Sequence, residues 1–237
     1  MTESPAPQTR DPRELPDVSG LVVGVLGGTG PQGRGLARRL AMAGQTVILG
    51  SRDAARASAA ATELRHADGG AVRVDGADNF ECARRADVVV VAVPWEGHGA
   101  LLADIADALS DKVVIDCVNP LGFDKQGAYP LPVPEGSAAQ QAAALLQGSR
   151  VVGAFHHVSA VLLLDPLVDV LDLDVLVVGD DRGATDIAQA LAARITGFRG
   201  VYAGRLRNAH QVEALTANLI SMNRRYKIHA GVRITDI

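Results

Sequence analysis

Three glycines near the start of the chain have a spacing that suits phosphate binding. Gly28, Gly30 and Gly33 form the pattern Gly-x-Gly-x-x-Gly, directly after an apolar run and at the start of a helical pattern. In this setting Gly28 would permit a tight turn, Gly30 would let the backbone approach a pyrophosphate, and Gly33 would let helix and strand pack closely. The free N–H groups of the helix N-terminus attract the same anion. The pattern predicts a dinucleotide-binding loop, and a tight turn without a ligand is the alternative.

A second group of side chains follows the next predicted strand, where NAD-binding proteins commonly place an acid against the ribose 2′-hydroxyl. Here the chain has Ser51 and Arg52, with Arg56 one helical turn beyond Arg52. A hydroxyl donor and two guanidinium groups suit a phosphate, which a carboxylate would repel. We interpret Asp53 as an acid of the first helical turn. These residues favour NADP over NAD, and a solvated arginine pair is the alternative.

The elements that would position these residues alternate between apolar strands and helical patterns. Because the run DVVVVAV is β-branched and apolar on both faces, we expect a central parallel strand covered by helices on each side. The predicted strands are residues 21–26, 46–50, 71–75, 87–93, 112–118 and 150–156. The alternation predicts an α/β fold with a doubly wound parallel sheet of the Rossmann type.

The pattern loosens after residue 160, and we expect three regions in the chain. Residues 1–20 are rich in proline and polar residues and are predicted to be a mobile N-terminal extension. Residues 21–160 are predicted to form the dinucleotide-binding domain, and residues 161–237 a small C-terminal α/β domain. Residues 119–136 hold four prolines and three glycines, which predicts a long loop.

Composition argues against several classes of function. The formal net charge is −4 and aromatic residues make up 3%, so we expect no nucleic-acid partner. No apolar run approaches the roughly 20 residues that span a bilayer, and the N-terminus lacks a secretory pattern, so we expect a cytoplasmic protein without a membrane partner. Cys82 and Cys117 match no metal or redox spacing, which predicts buried thiols in a reducing compartment and no metal site.

Longer stretches resemble a known family. The segments VLGGTGPQGRGLARRLAMAGQTVILGSRDAAR, VVAVPWEG, KVVIDCVNPL and VVGAFHHVSA, in this order, resemble the deazaflavin-dependent NADP reductases. These enzymes exchange hydride between NADPH and coenzyme F420. The resemblance covers residues 21–237, and it implies an oxidoreductase that uses NADP and coenzyme F420.

The resemblance also implies which residues hold the cofactors. The residues implied for the NADP phosphates are Thr29, Gly30, Pro31 and Gln32, and those implied for the 2′-phosphate are Ser51, Arg52 and Arg56. The residues implied for the nicotinamide and its ribose are Val93, Pro94, Trp95, Asn119 and Ala160. The residues implied beside the reacting rings and the deazaflavin are His156, Val158 and Ala230.

Hydride transfer between two bound rings requires positioning rather than a protein nucleophile, metal or general base. We therefore expect no obligate acid or base. His156 is the candidate that would orient a ring or hydrogen-bond its carbonyl, and a histidine satisfied by the backbone is the alternative. His98 and His210 are predicted to lie at the surface or on a helix face.

Other functions stay open at this point. An NADP-dependent hydroxyacid or imine reductase often carries a lysine acid/base after the sheet, and none of Lys112, Lys125 and Lys227 fits that place well. A flavin reductase of the same fold and a non-catalytic NADP(H) sensor are further alternatives. Apolar faces on the last helices favour a homodimer, and we expect small-molecule cofactors as the other partners.

Overall fold

The computed structural model describes residues 11, 14–67 and 69–237. Eight strands form one sheet in the order β10-β9-β8-β5-β4-β1-β2-β3, and a separate two-stranded hairpin contains β6 and β7. The six strands from β8 to β3 are parallel, whereas β9 is antiparallel to β8 and β10 is parallel to β9. The predicted doubly wound α/β fold is confirmed.

The strands of the large sheet are short and mostly buried. Because β4 and β5 are apolar on both faces, helices can cover the sheet on each side. In the part of the chain that the structure describes, the strands are β1 Val22–Leu26, β2 Thr46–Ser51, β3 Val74–Asp78, β4 Val88–Val91, β5 Val113–Asp116, β6 Leu121–Asp124, β7 Gly127–Pro130, β8 Arg150–Gly153, β9 Leu173–Gly179 and β10 Phe198–Gly204.

The helices lie on both faces of the sheet and bury two large apolar clusters and a smaller third one against it. Within the described ranges, none of them is long and apolar enough to cross a bilayer. The α-helices of the described residues are α1 Pro31–Met42, α2 Ala54–Ala67, α3 Asn79–Arg85, α4 Trp95–Asp104, α5 Ala106–Leu109, α6 Ala138–Leu145, α7 Ala160–Leu164, α8 Arg182–Arg194 and α9 Ala209–Tyr226. A 3₁₀ turn, Leu206–Asn208, precedes α9.

Two sequence predictions about elements are wrong. The third strand is shifted from 71–75 to Val74–Asp78, because Gly76 lies inside the strand rather than ending it. A Cβ on Gly76 would lie 2.4 Å from the α2 backbone, so this glycine lets α2 pack onto the sheet. The proline-rich stretch 119–136 is not a plain loop, since residues 121–130 form the β6–β7 hairpin, which packs against α9.

The packed part of the chain begins before residue 21. Val18 is 3% exposed, and its carbonyl accepts a hydrogen bond of 2.7 Å from the buried Gln45 side chain. Of the predicted extension, residues 1–10, 12 and 13 lie outside the described residues. At the other end, β9 and β10 continue the same sheet past residue 160. The division into domains at that residue stays a prediction.

Candidate functional site

The glycine loop connects β1 to α1 at the carboxyl edge of the sheet. Its tight turn falls on Gly27, which has φ +74° and whose added Cβ would lie 2.4 Å from the Ala92 carbonyl oxygen. Gly28 lies at the next position of the same turn, which the Gly30 N–H closes with a hydrogen bond of 2.9 Å to the Gly27 carbonyl. Gly28 also packs closely on β2, where a Cβ would come within 2.8 Å of the Leu49 side chain. Both glycines are required by contacts within the fold.

Gly33 and Gly30 differ in how much space surrounds them. A Cβ on Gly33 would lie 2.6 Å from the Gly27 carbonyl oxygen, so Gly33 lets α1 approach the loop. Gly30 has extended backbone, φ −80° and ψ 163°, and its Cβ would meet only that oxygen, at 3.3 Å. The fold would therefore accept a Cβ at Gly30 after the loop backbone shifts by a few tenths of an ångström. An open backbone face at the uncapped N-terminus of α1 is what a bound pyrophosphate needs.

The corner after β2 places its charged side chains as the sequence predicts. Ser51 is buried, whereas Arg52 and Arg56 are exposed and neither guanidinium bonds to another residue that the structure describes. Asp53 accepts hydrogen bonds from the N–H groups of Ala55, at 2.8 Å, and Arg56, at 3.3 Å. This carboxylate therefore caps α2, which supports its interpretation as a helix acid. We call the glycine loop and this corner the loop end.

A cavity of ≈ 370 Å³ lies beyond the carboxyl ends of β4, β5 and β8. This volume is within the range of small-molecule sites. Nine of the residues singled out in the sequence line it: Gln32, Val93, Pro94, Trp95, Asn119, His156, Val158, Ala160 and Ala230. The fold thus brings together residues from segments up to 198 positions apart. We call this cavity and its lining the cavity end.

One residue joins the two ends. Gln32 lies in the first turn of α1, and its side-chain amide donates a hydrogen bond of 3.4 Å to the Phe155 carbonyl. Phe155 is buried and has φ +64°, a left-handed conformation that costs free energy for a residue with a large side chain. This turn directs the chain after β8 into the cavity wall.

The two histidines that follow this turn are 3% exposed each. Burial lowers the pKa of both to about 4, so both imidazoles are neutral near pH 7. The backbone carbonyl of His156 accepts hydrogen bonds from Asn119 at 2.8 Å and Thr216 at 3.0 Å. Neither ring nitrogen of His156 has a hydrogen-bond partner among the described residues, whereas His157 Nε2 accepts one from Leu176 N–H at 3.2 Å.

Helix α9 supplies a cavity wall that the sequence reasoning missed. Thr216, Leu219, Ile220 and Asn223 line the cavity with the spacing of a single helix face. The Asn223 side chain also accepts a hydrogen bond of 2.6 Å from Ala230 N–H, which holds the segment after α9 against the wall. The feature of the sequence that could have indicated this wall is a helix face with a threonine at one end and an asparagine at the other.

The surface position predicted for His98 is wrong, whereas His210 is exposed as predicted. His98 is fully buried beneath Trp95, and its Nε2 lies 2.6 Å from an Asp116 carboxylate oxygen. The neighbours Glu96, Gly97 and Gly99 give no local sign that His98 is buried. The buried carboxylate at the end of β5 explains why a polar ring is accommodated here.

The cysteines are buried free thiols, as predicted. Burial raises the pKa of Cys82 to about 12 and raises the pKa of Cys117 as well, so neither is a thiolate near neutral pH. Cys117 lines the cavity and donates a weak hydrogen bond of 3.0 Å to the Val91 carbonyl. No group of three or more potential metal ligands occurs in the part of the chain that the structure describes.

The fold and the glycine loop define the class of dinucleotide-binding α/β proteins. Residues 22–120 match the family model described as NADP oxidoreductase, coenzyme F420-dependent. The F420-dependent NADP reductase of Methanothermobacter thermautotrophicus is 43% identical over 92% of this chain and 96% of its own length. The enzyme of that name from Methanocaldococcus jannaschii is 35% identical over 92% of this chain and 99% of its own.

Solved structures agree with the sequence relatives. The crystal structure of a protein from Arthrobacter sp. FB24, provisionally assigned as an F420-dependent NADP reductase, has a TM-score of 0.74 and 26% identity. The alignment covers 92% of this chain and 100% of that one. The chain belongs to the F420-dependent NADP reductase family.

Proposed function

We propose that the chain is an oxidoreductase that transfers a hydride between NADP(H) and coenzyme F420. Family membership supports this proposal, and the position of Gln32 carries it structurally. Gln32 begins at the open face of the glycine loop, and its side chain reaches the Phe155 carbonyl at the cavity wall. A dinucleotide whose pyrophosphate lies on the loop would therefore extend its nicotinamide into the cavity.

At the loop end, backbone and guanidinium groups would bind the phosphates. The open face of Gly30 admits the pyrophosphate, and the N-terminus of α1 offers N–H donors that no side chain caps. Ser51, Arg52 and Arg56 would hold the 2′-phosphate of NADP. Because the two exposed arginines have no partner among the described residues, they break no ion pair with those residues when they bind the phosphate.

At the cavity end, the side chains would position the two rings and exclude water. The deazaflavin has carbon where a flavin has N5, so when bound it supplies two-electron hydride chemistry. His156, which is neutral, and Asn119 offer polar groups without a charge, and Trp95, Val158 and Ala230 offer apolar contacts. Positioning of this kind supplies much of the rate of a transfer between bound partners.

The alternative reductases lack an observation that favours them. A hydroxyacid or imine reductase with a lysine acid/base would require a lysine beside the cavity. Lys112 bonds to the Arg84 carbonyl, Lys125 lies at the turn of the β6–β7 hairpin, and Lys227 follows α9. All three lysines are among the described residues, and none of them lines the cavity.

A steady-state assay with NADPH and F420, followed by deazaflavin absorbance, tests the proposal. We expect reduction of F420 with NADPH and much slower reduction with NADH. Flavin reduced in preference to F420 would indicate the flavin reductase. Tight NADPH binding without turnover of any acceptor would indicate the NADP(H) sensor.

Two further properties belong to this proposal. Exposed apolar side chains on α9 and the hairpin, among them Phe123, Met222 and Tyr226, support a homodimer through this face. Sedimentation at micromolar concentration should then give twice the chain mass.

The buried free cysteines support a reducing, cytoplasmic compartment. Fractionation of the cells that produce the enzyme tests that assignment.

A further inference from the structure

His98 and Asp116 form a buried pair directly beneath the cavity. His98 lies one turn after Trp95 on α4, Asp116 ends β5, and both side chains are 0% exposed. His98 Nε2 lies 2.6 Å from one Asp116 oxygen, and the other Asp116 oxygen accepts Val118 N–H at 2.9 Å. Family resemblance gave no role to either residue, and the proposed transfer needs no proton from them.

The second ring nitrogen also faces an acceptor. His98 Nδ1 lies 3.0 Å from Gln141 Oε1, and the Gln141 amide nitrogen donates to Glu135 at 3.3 Å, which fixes the orientation of that amide. Acceptors at both ring nitrogens favour the doubly protonated ring, the imidazolium. Glu213 on α9 is a further acid near the pair, with its carboxylate held by the N–H groups of Ala138 and Ala139.

The pKa of His98 agrees with this protonation. Burial alone would lower it, but the Asp116 charge, the hydrogen bonds to Asp116 and Gln141, and the Glu213 charge together raise it. His156, at the end of β8, also interacts electrostatically with Asp116 and stays neutral. The pair is therefore a buried ion pair in a region where other polar rings are uncharged.

The pair connects two walls of the cavity, one on α4 and one after β5. The Trp95 ring packs on the His98 ring with centroids 5.5 Å apart and planes tilted by 32°. Among the described residues, the side-chain hydrogen bonds that join α4 to other elements are the two made by His98. On the other side, Asp116 fixes the turn that carries Cys117, Val118 and Asn119 into the cavity.

We infer that the His98–Asp116 pair is a positioning unit, which holds the Trp95 wall against the 117–119 wall at the separation that hydride transfer requires. This inference rests on the proposed function. A buried ion pair is often no more stabilising than apolar packing of the same volume. Its distinct contribution here is geometric, because two directional hydrogen bonds from one ring fix the position of α4 relative to β5, through Asp116, and relative to α6, through Gln141.

Two substitutions of His98 test the geometry. His98→Gln keeps an N–H donor near the Nε2 position, so it preserves the bond to Asp116, whereas His98→Asn is too short to reach that carboxylate. We expect His98→Asn to lower kcat for F420 reduction by about ten- to a hundredfold. His98→Gln should recover most of that loss, and NADPH affinity should change by less than about threefold in both, because the loop end is untouched.

Trp95 gives a readout that is independent of activity. It is the single tryptophan of the chain, so its fluorescence reports this wall alone. We expect His98→Asn to increase the quenching of Trp95 by acrylamide and His98→Gln to leave it close to the parent. Asp104→Asn, exposed at the end of α4, is the matched control and should leave both readouts unchanged.

The outcomes separate the two proposals. Equal kcat for His98→Asn and the parent, or equal losses in the asparagine and glutamine variants, would overturn the positioning role. If the asparagine variant does not fold, the neutral pair His98→Gln with Asp116→Asn decides, because it keeps the hydrogen bond and should retain most of kcat. A parent protein that binds NADPH and reduces no F420 would refute the proposed function, and the quenching experiment would still test the pair.

Discussion

The loop end of the site is built from two short stretches, whereas the cavity end is assembled from segments up to 198 residues apart. At the loop end, contacts within the fold require Gly27, Gly28 and Gly33, and only Gly30 stays open toward a ligand. At the cavity end, buried polar groups meet one another, as His156 and Asn119 do. The loop end would bind the phosphates through backbone N–H groups and charged side chains, and the cavity end would position the two rings through packing.

The largest expected effect is at Gly30, where the comparison predicts loss of binding without loss of fold. In Gly30→Val the side chain would occupy the pyrophosphate position, and NADPH affinity should fall more than about a hundredfold. Circular dichroism should match the parent, since a Cβ there meets only one backbone oxygen, at 3.3 Å.

Two controls sharpen this test. Gly33→Val should unfold the protein, because its Cβ would lie 2.6 Å from a backbone oxygen, and Gly20→Val should change neither property, because that position is open. Calorimetric binding of NADPH that persists in Gly30→Val would mean that the dinucleotide lies elsewhere.

The second-largest effect is expected at Arg52, one of the two arginines of the corner after β2, and it concerns the choice between NADPH and NADH. Arg52→Ala removes one charge-assisted contact to the 2′-phosphate, a loss of about 1.5–3 kcal/mol. The apparent Kd for NADPH should rise roughly ten- to a hundredfold, while that for NADH stays nearly constant. Arg84→Ala, an exposed arginine paired with Glu81, is the matched control and should change neither. Equal losses for both cofactors would refute the assignment of the 2′-phosphate site.

The contrast between the ends also explains what the sequence could predict. The glycine spacing, the Ser51–Arg52 corner and the alternation of elements are local patterns, and the fold follows from them. The burial of His98 could not be predicted from local patterns, because it depends on Asp116, 18 residues away, and on Gln141, 43 residues away. The α9 wall shows it again, since nothing near Thr216 in the sequence indicates that it contacts the carbonyl of His156.

A smaller effect is expected at the histidines of the cavity end. If His156 only orients a ring, His156→Ala should lower kcat by about five- to a hundredfold. His157→Ala should stay within the same range, because His157 bonds to the β9 backbone. Rapid-mixing kinetics with NADPH and F420 measures both variants. A loss near 10⁴-fold, typical of an obligate acid or base, would favour a mechanism with protein proton transfer.

The smallest effect concerns stability and pH. Burial lowers the pKa of His156 to about 4, below its ordinary 6.5, so its neutral form contributes stability above pH 6.5 that is lost as the pH falls toward 4. Relative to His156→Ala, the parent should lose about 1 kcal/mol of unfolding free energy between about pH 6.5 and 5.5. Urea unfolding of both proteins measures this.

Glu213 titrates in the opposite sense, because burial raises its pKa to about 7. Its effect is common to both proteins, so the difference between them isolates His156. Parallel pH curves would contradict a buried neutral imidazole at this position.

Transfer of deuterium from C4 of NADPH tests the central claim most directly. If the cavity only positions two rings, the label passes from one ring carbon to the other and no protein group exchanges it with water. The parent enzyme should therefore yield reduced F420 that carries the deuterium from the transferring face of NADPH, with none released into solvent. Label found in water, with unlabelled reduced F420, would contradict direct transfer and require a protein acid or base in the site.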